Sequence, residues 1–476
     1  MAQEFPYLID GQPRTTGTAV EIRSPFRGEV AGVTWHATAT EVEEAIVAAE
    51  RAFAETRRWP TFRRAELLER LVRALQAQPD TLARLIALEA GKPIKYARAE
   101  VNRAVATVTD ALEESKRIRG EWLPLDLEPA SRGRHALVRR FPLGPVAAIT
   151  PFNFPLNLVA HKVAPALACG NTLVLKPAPQ APLSGLALAR MALEAGAPPG
   201  MLNAFLCPLE AARPLVTDPR LKLLSFTGSA SVGWSLKSLA GKKRVLLELG
   251  GNAAVAVHSD ADLELAARRC AFGGFAYAGQ TCISVQRIYV QRAVFADFTT
   301  RFLAAVGQLR LGDPLDEATD LGPMISPRDA ERAESWVREA VAGGAKVLVG
   351  GERDGACFQP TVLTNTRPAM NVCAQEVFAP IVVLEPCDTL ADALRLINRS
   401  AYGLQAGVFT RDLDAAFAAF EDLEVGGLIL NDVPTYRADP MPYGGVKDSG
   451  LGREGVRYAI EEMTERKVLV LRQPDS

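Results

Sequence analysis

No two cysteines in this sequence have the Cys-x-x-Cys spacing, and the seven that occur, at 169, 207, 270, 282, 357, 373 and 387, follow no regular interval. An odd, irregular set fits free thiols in a reducing compartment, so a cytoplasmic location is expected rather than a disulfide framework. Histidine is scarce, with four residues scattered at 36, 135, 161 and 258. No metal site is expected, since zinc needs clustered Cys and His ligands. The same scarcity leaves little for a Cys-His hydrolase dyad, although such partners need only meet in space. Neither sign of charge is in excess: 54 basic against 55 acidic residues give a net charge of −1. That argues against nucleic acid as a partner, which calls for a basic face. No uninterrupted apolar run approaches the roughly 18 residues of a membrane-spanning helix. The first residues carry Glu4 and Asp10 and no apolar core of a signal peptide, so neither membrane nor export is expected.

What is present is an ordinary globular composition, 48% apolar and 23% charged, over 476 residues. That length calls for two or three domains. Residues 5–35 read as short strands around turn signals. From Thr40 the period becomes helical, with Thr40 and Glu43 as a capping box. Further helices follow Pro60, run from Pro79 to Ala90, and run from Lys95 to Arg117. Arg134–Arg140 alternates like an exposed strand. Short apolar strands then alternate with helices: Val146–Thr150, Leu158–Ala168, Thr172–Lys176, Pro182–Ala195, Leu202–Leu206, Leu223–Phe226, Arg244–Glu248. This is the pattern of a parallel, doubly wound sheet, which binds ligands beyond the carboxyl ends of its strands. A second α/β unit begins near Glu248, with a helix over Leu263–Ala276 and strands at Arg287–Val290, Lys346–Val349, Ile381–Glu385, Ala406–Phe409 and Gly427–Leu430. The tail, Arg466–Arg472, alternates as a strand and can pair with Arg134–Arg140 of this or another subunit.

Chemistry-bearing residues stand at the strand ends. Thr150-Pro151-Phe152-Asn153-Phe154-Pro155 forces a turn and projects Asn153, either a turn former or a neutral amide donor for an oxyanion. Lys176 ends the next strand, either solvated or bound to ribose or phosphate. Phe226-Thr227-Gly228-Ser229 runs from a strand through a glycine into a helix, a plain capped helix or a pyrophosphate cradle. Leu247-Glu248-Leu249-Gly250-Gly251 puts a carboxylate at a strand end, either salt-bridged or raised in pKa as a general base. Gly279-Gln280-Thr281-Cys282-Ile283-Ser284 holds one cysteine among small residues, inert packing or a nucleophile in need of a base and an oxyanion donor.

Taken together, Pro-Phe-Asn-Phe-Pro, Lys-Pro-Ala, Phe-Thr-Gly-Ser, Leu-Glu-Leu-Gly-Gly, Gly-Gln-Thr-Cys, Glu-Val-Phe-Ala-Pro and Pro-Tyr-Gly-Gly-Val-Lys-x-Ser-Gly occur in an order that resembles the aldehyde dehydrogenase superfamily over nearly the whole chain. The resemblance implies an α/β fold with a Rossmann-like cofactor domain (1–120, 141–247 and 433–460), an α/β catalytic domain (248–432) and a small β oligomerisation element (121–140 and 461–476), in a homodimer or homotetramer. It implies Cys282 as nucleophile, Asn153 as oxyanion donor and Glu248 as the base that hydrolyses a thioester. Lys176 and Glu376 would hold the two riboses. Gly228 and Ser229 would lie at the pyrophosphate, and Thr150, Phe152, Leu249 and Phe378 near the cofactor. Glu248 favours release of a free acid over transfer to CoA. NAD-preferring relatives often carry a Glu where Pro179 stands, so NADP is expected to be tolerated or preferred over NAD. The segments Asn431–Arg437 and Phe275–Ala278 are most similar to the lactaldehyde, glyceraldehyde and phosphonoacetaldehyde branch. Arg103, Thr281 and Arg437 are candidates to choose a short hydroxylated or anionic aldehyde. Thr281 and Phe154 replace the basic residue and His of phosphonate relatives. A succinate-semialdehyde dehydrogenase, or an inactive structural protein on the same fold, are the alternatives.

Overall fold

The computed structural model describes residues 3–473; the first two and last three residues of the domain spans given above lie outside the described residues. Five parallel strands occupy the middle of the first sheet, in the spatial order Leu202–Ala204, Leu173–Lys176, Val146–Ile149, Leu223–Thr227, Arg244–Glu248. The chain lays down Val146–Ile149 first, builds to one side, then returns and builds to the other. The direction therefore reverses between Val146–Ile149 and Leu223–Thr227, and at such a switch point the loops beyond the strand ends splay into a crevice. The register sets the chemistry level: Ile149 pairs with Lys176 and Phe226, and Thr227 with Glu248. The hairpin Tyr7–Ile9 and Gln12–Arg14 covers one edge, and Gly450–Leu451 pairs antiparallel with Arg244–Glu248 at the other.

Apolar on both faces, these strands pack under helices. The helix Asn157–Cys169 is buried at every residue, including His161 and Lys162. A second sheet has the order Lys346–Val349, Thr361–Thr364, Ile381–Cys387, Arg287–Gln291, Ala254–Val257, Gln405–Phe409, Gly427–Leu430, parallel except at its first strand. A third sheet pairs Thr464–Arg472 with Arg134–Pro142, and Arg134–Pro142 with Glu121–Pro124, all antiparallel. The expected partnership of the tail strand is thus met within one chain.

Three expectations are corrected. The first long helix spans Ala39–Thr56 and its capping box is Thr38 with Glu41, not Thr40 with Glu43. Both pairs fit the Thr-x-x-Glu pattern. Tyr7 and Thr16 decide between them, because their hydroxyls donate to Glu41 Oε1 at 2.5 and 2.8 Å. Second, Ala254–Val257 and Thr361–Thr364 were not expected as strands, yet Ala254–Val257 lies inside the second sheet with all four residues buried. Its alternation of Ala and Val carries little β-branched signal. Third, the helix starting at Leu263 ends at Phe275, one residue early, because Tyr277 and Ala278 take φ of 52° and 53° in the turn that aims the cysteine loop.

Candidate active site

A cavity of about 570 Å³ opens at the switch point and is lined from both sheets. Cys282 reaches it from the loop between the helix Leu263–Phe275 and the strand Arg287–Gln291, partly exposed to the cavity. Burial pushes its thiol up to about 12, against a lowering by the Tyr443 hydroxyl, which lies 3.0 Å from Sγ. Asn153 is fixed to the same loop: its Nδ2 donates to the Gln280 carbonyl at 3.0 Å. One N–H of that amide is used and the second is left for an oxyanion.

Glu248 ends its strand buried, with no hydrogen-bond partner on either carboxylate oxygen. It is not the salt-bridged strand-end Glu that was the simpler alternative. Burial, and then the nearby Glu454 carboxylate, raise its pKa well above the ordinary value. A carboxylate whose pKa is raised in this way is a stronger base than an exposed one, which suits proton abstraction. The glycines after it have steric reasons. A Cβ on Gly250 would collide with the Glu376 carboxylate, and one on Gly251 with the Cys282 carbonyl oxygen. Glu376 Oε1 accepts from the Gly251 N–H at 3.0 Å, and burial lifts its pKa to about 7 against that bond.

Of the residues read from the sequence, Cys282, Glu248, Asn153, Phe152, Gly228, Ser229, Leu249, Glu376, Phe378, Arg103, Thr281 and Arg437 all line this cavity. Phe152 meets Phe378 edge to face at 5.8 Å. Ser229 is the N-cap residue of the helix Ala230–Leu239, but its hydroxyl makes no capping bond, so the first-turn N–H groups are left for an anion. Lys176, Thr150 and Pro179 stand at the same sheet edge but not on the cavity wall. Burial depresses the Lys176 pKa. The Thr150 hydroxyl is buried without a partner, and Pro179 is exposed.

The two arginines are not free. Arg103 donates to both oxygens of Asp439, at 3.1 and 2.7 Å. Arg437 donates to Glu454 Oε2 at 3.2 Å and stacks on the Tyr443 ring, 3.7 Å from its centroid. His161 Nε2 lies 2.9 Å from Asp439 Oδ1, and Lys162 donates to Glu454 Oε1 at 3.1 Å. Burial alone would raise both carboxylates. For Asp439, hydrogen bonds from His161 and Arg103 win and lower its pKa; for Glu454, Lys162 and Arg437 do. Tyr443, Asp439, Glu454, His161 and Lys162 were not singled out as site residues. The signal available was a polar pair, His161-Lys162, inside an otherwise apolar helix.

The aldehyde dehydrogenase family model matches residues 12–469. The chain belongs to the aldehyde dehydrogenase family. It is an oxidoreductase acting on aldehydes, as the order of its motifs implied. A 3-sulfolactaldehyde dehydrogenase of Priestia megaterium is 44% identical over 470 residues, covering 98% of each chain. Among solved structures, aldehyde dehydrogenase 21 of Physcomitrella patens, in complex with the reaction product succinate, superposes with a TM-score of 0.97 at 43% identity, covering 99% of each chain. Glyceraldehyde-3-phosphate dehydrogenase GapN of Methanocaldococcus jannaschii, complexed with NADP, gives 0.92 at 38% identity, with 97% of this chain and 100% of that one covered. As in other aldehyde dehydrogenases that these comparisons match, the fold is a mixed α/β one with parallel sheets.

Proposed function

We propose that this aldehyde dehydrogenase oxidises a short anionic or hydroxylated aldehyde to the free carboxylic acid, with NAD or NADP as hydride acceptor. The observation that carries the reading is a buried, unpaired Glu248 sharing one cavity with Cys282 and the half-used amide of Asn153.

The site fits a dinucleotide. The uncapped helix start at Gly228-Ser229 suits a pyrophosphate, Glu376 suits a ribose hydroxyl, and Phe152 with Phe378 gives an apolar wall. Lys176 suits the other ribose from the neighbouring strand end, with Thr150 and Pro179 about it, and Leu249 packs under the helix that starts beyond Ser229. When bound, the nicotinamide supplies the hydride acceptor. The chain's own groups do the rest. Cys282, as thiolate, adds to the aldehyde carbonyl and forms a C–S bond. The second N–H of Asn153 and the Cys282 N–H hold the resulting oxyanion. Loss of hydride from that carbon leaves a thioester on Cys282. Glu248 takes a proton from water, the hydroxide adds to the thioester, and the C–S bond breaks to release acid and thiolate.

An anionic substrate is supported by charge. In the hydrogen-bonded cluster beside the cavity the Arg437 side chain is buried and its Nε has no partner. A buried guanidinium with a donor to spare suits an anion facing it. Thr281, its hydroxyl buried and unpartnered, faces the same space. The sulfolactaldehyde of one relative and the succinate of one structure are anions too, and the latter makes a succinate-semialdehyde substrate the second reading. Pro179 leaves the ribose 2′ side without a carboxylate, which favours tolerance of NADP.

We further read 1–120, 141–247 and 433–460 as the cofactor domain, 248–432 as the catalytic domain, and 121–140 with 461–476 as an oligomerisation element of a homodimer or homotetramer. The seven free thiols suit a reducing cytoplasm; among the described residues no helix is long and apolar enough to cross a membrane. The test is absorbance of reduced cofactor with a panel of sulfonated, carboxylated and neutral hydroxyaldehydes. In wild type the signal should be steady; in Glu248→Gln it should stop after about one equivalent per site, since hydride loss precedes the step Glu248 serves. An unchanged steady-state rate in Glu248→Gln would remove Glu248 from the mechanism.

A further inference from the structure

Tyr443 sits in the glycine-dense loop that returns the chain from the second sheet to the first. Its backbone is clamped twice to Glu454, its N–H donating to the Glu454 carbonyl at 3.0 Å and its carbonyl accepting from the Glu454 N–H at 2.6 Å. Its ring is buried and covered by the Arg437 guanidinium at 3.7 Å, and Arg437 is itself held by Glu454. The phenol therefore has little freedom, and its oxygen rests 3.0 Å from Cys282 Sγ. Among the described residues it is the hydrogen-bond partner that the sulfur has.

Burial opposes the thiolate on which the reaction depends. A thiolate has no proton to donate, so whichever atom donates while the thiol is intact, the phenol O–H must donate once Sγ is ionised. The phenol can do so, because burial keeps it protonated well past its ordinary range. A cation on the ring face draws electron density away from the oxygen and strengthens the O–H as donor, and its charge is also felt at the sulfur.

We propose that Tyr443 is a further catalytic residue, whose hydroxyl donates to the Cys282 thiolate and stabilises it, with Arg437 as a positioning residue that polarises the ring from behind. The proton of the thiol leaves to solvent and the phenol keeps its own. This rests on Cys282 being the nucleophile.

The test is the pH profile of Cys282 alkylation by iodoacetamide, followed by peptide mapping so that the other six cysteines do not contribute. In Tyr443→Phe the midpoint should move up by about one pH unit, a tenfold loss of thiolate below it. The kcat/KM for aldehyde should fall by a similar factor at neutral pH and recover toward wild type as pH rises, with the dissociation constant for NADP unchanged. A merely structural role would not give recovery with pH. An alkylation midpoint identical to wild type, with activity lowered equally at every pH, would overturn the role of the phenol. Alkylation confined to Cys282 that leaves wild-type turnover intact would instead overturn Cys282 as nucleophile, so the two failures are distinguishable.

Discussion

A single carboxyl shows how the site trades stability for chemistry. Glu248 is buried without a partner, and burial, reinforced by Glu454, raises its folded pKa above the unfolded value near 4.5. Folding therefore takes up a proton, and the contribution is full below the unfolded pKa and lost as pH rises through the folded one. Glu248→Gln has no such loss. The melting temperature of the variant should thus gain on wild type as pH rises above the unfolded pKa; a difference that stays flat with pH would show that folding does not raise the Glu248 pKa. At Pro179 the expectation runs through repulsion. Pro179→Glu should lower kcat/KM for NADP by about tenfold and spare NAD, because a carboxylate would face the 2′-phosphate. An unchanged NADP to NAD ratio would mean that specificity is set elsewhere. Glu248 was legible because it ends an apolar strand inside a spaced motif, whereas Pro179, three residues beyond the end of its strand, was legible only through the family resemblance. Arg103 and Arg437 were legible as charges but not as pairs, since their carboxylates lie 336 and 17 positions away and share no motif with them.

At the scale of elements, the alternation of strand and helix was readable from periodicity, while starts and stops were governed by contacts from elsewhere. The first long helix shows this best. Thr38 and Thr40 offer equivalent capping boxes in sequence, and the choice is made by Tyr7 and Thr16 through Glu41. Thr38→Ala should cost about 1 kcal/mol of unfolding free energy, as N-cap losses do, and Thr40→Ala close to nothing. Chemical denaturation of the two variants checks this, and equal losses would contradict the assigned cap. Ala254–Val257 was missed for a related reason: a short Ala-Val run, buried between two neighbours in its sheet, reads the same as a helix fragment until the sheet exists.

For the whole molecule, the notable surface is the third sheet. Val468, Leu469, Val470 and Leu471 are 61, 55, 51 and 42% exposed on one strand, and Trp122 is 59% exposed on another. Four consecutive apolar residues exposed on both faces of a strand mark an interaction surface. Under the oligomer reading, Val470→Asp should shift the mass in light scattering from oligomer toward monomer at micromolar concentration. A wild type that is monomeric there would end that reading.

The return of the chain after residue 432 has a consequence for synthesis. Tyr443 reaches Cys282, the space beside Glu248 is shaped by Gly444, and Gly450–Leu451 closes the sheet that ends in Glu248. A chain growing on the ribosome therefore holds its cysteine and its carboxyl long before the loop that unites them has emerged. Until the loop that carries Tyr443, 161 residues after Cys282, has been made, the nascent protein carries the reagents of its reaction without the enclosure that makes them react.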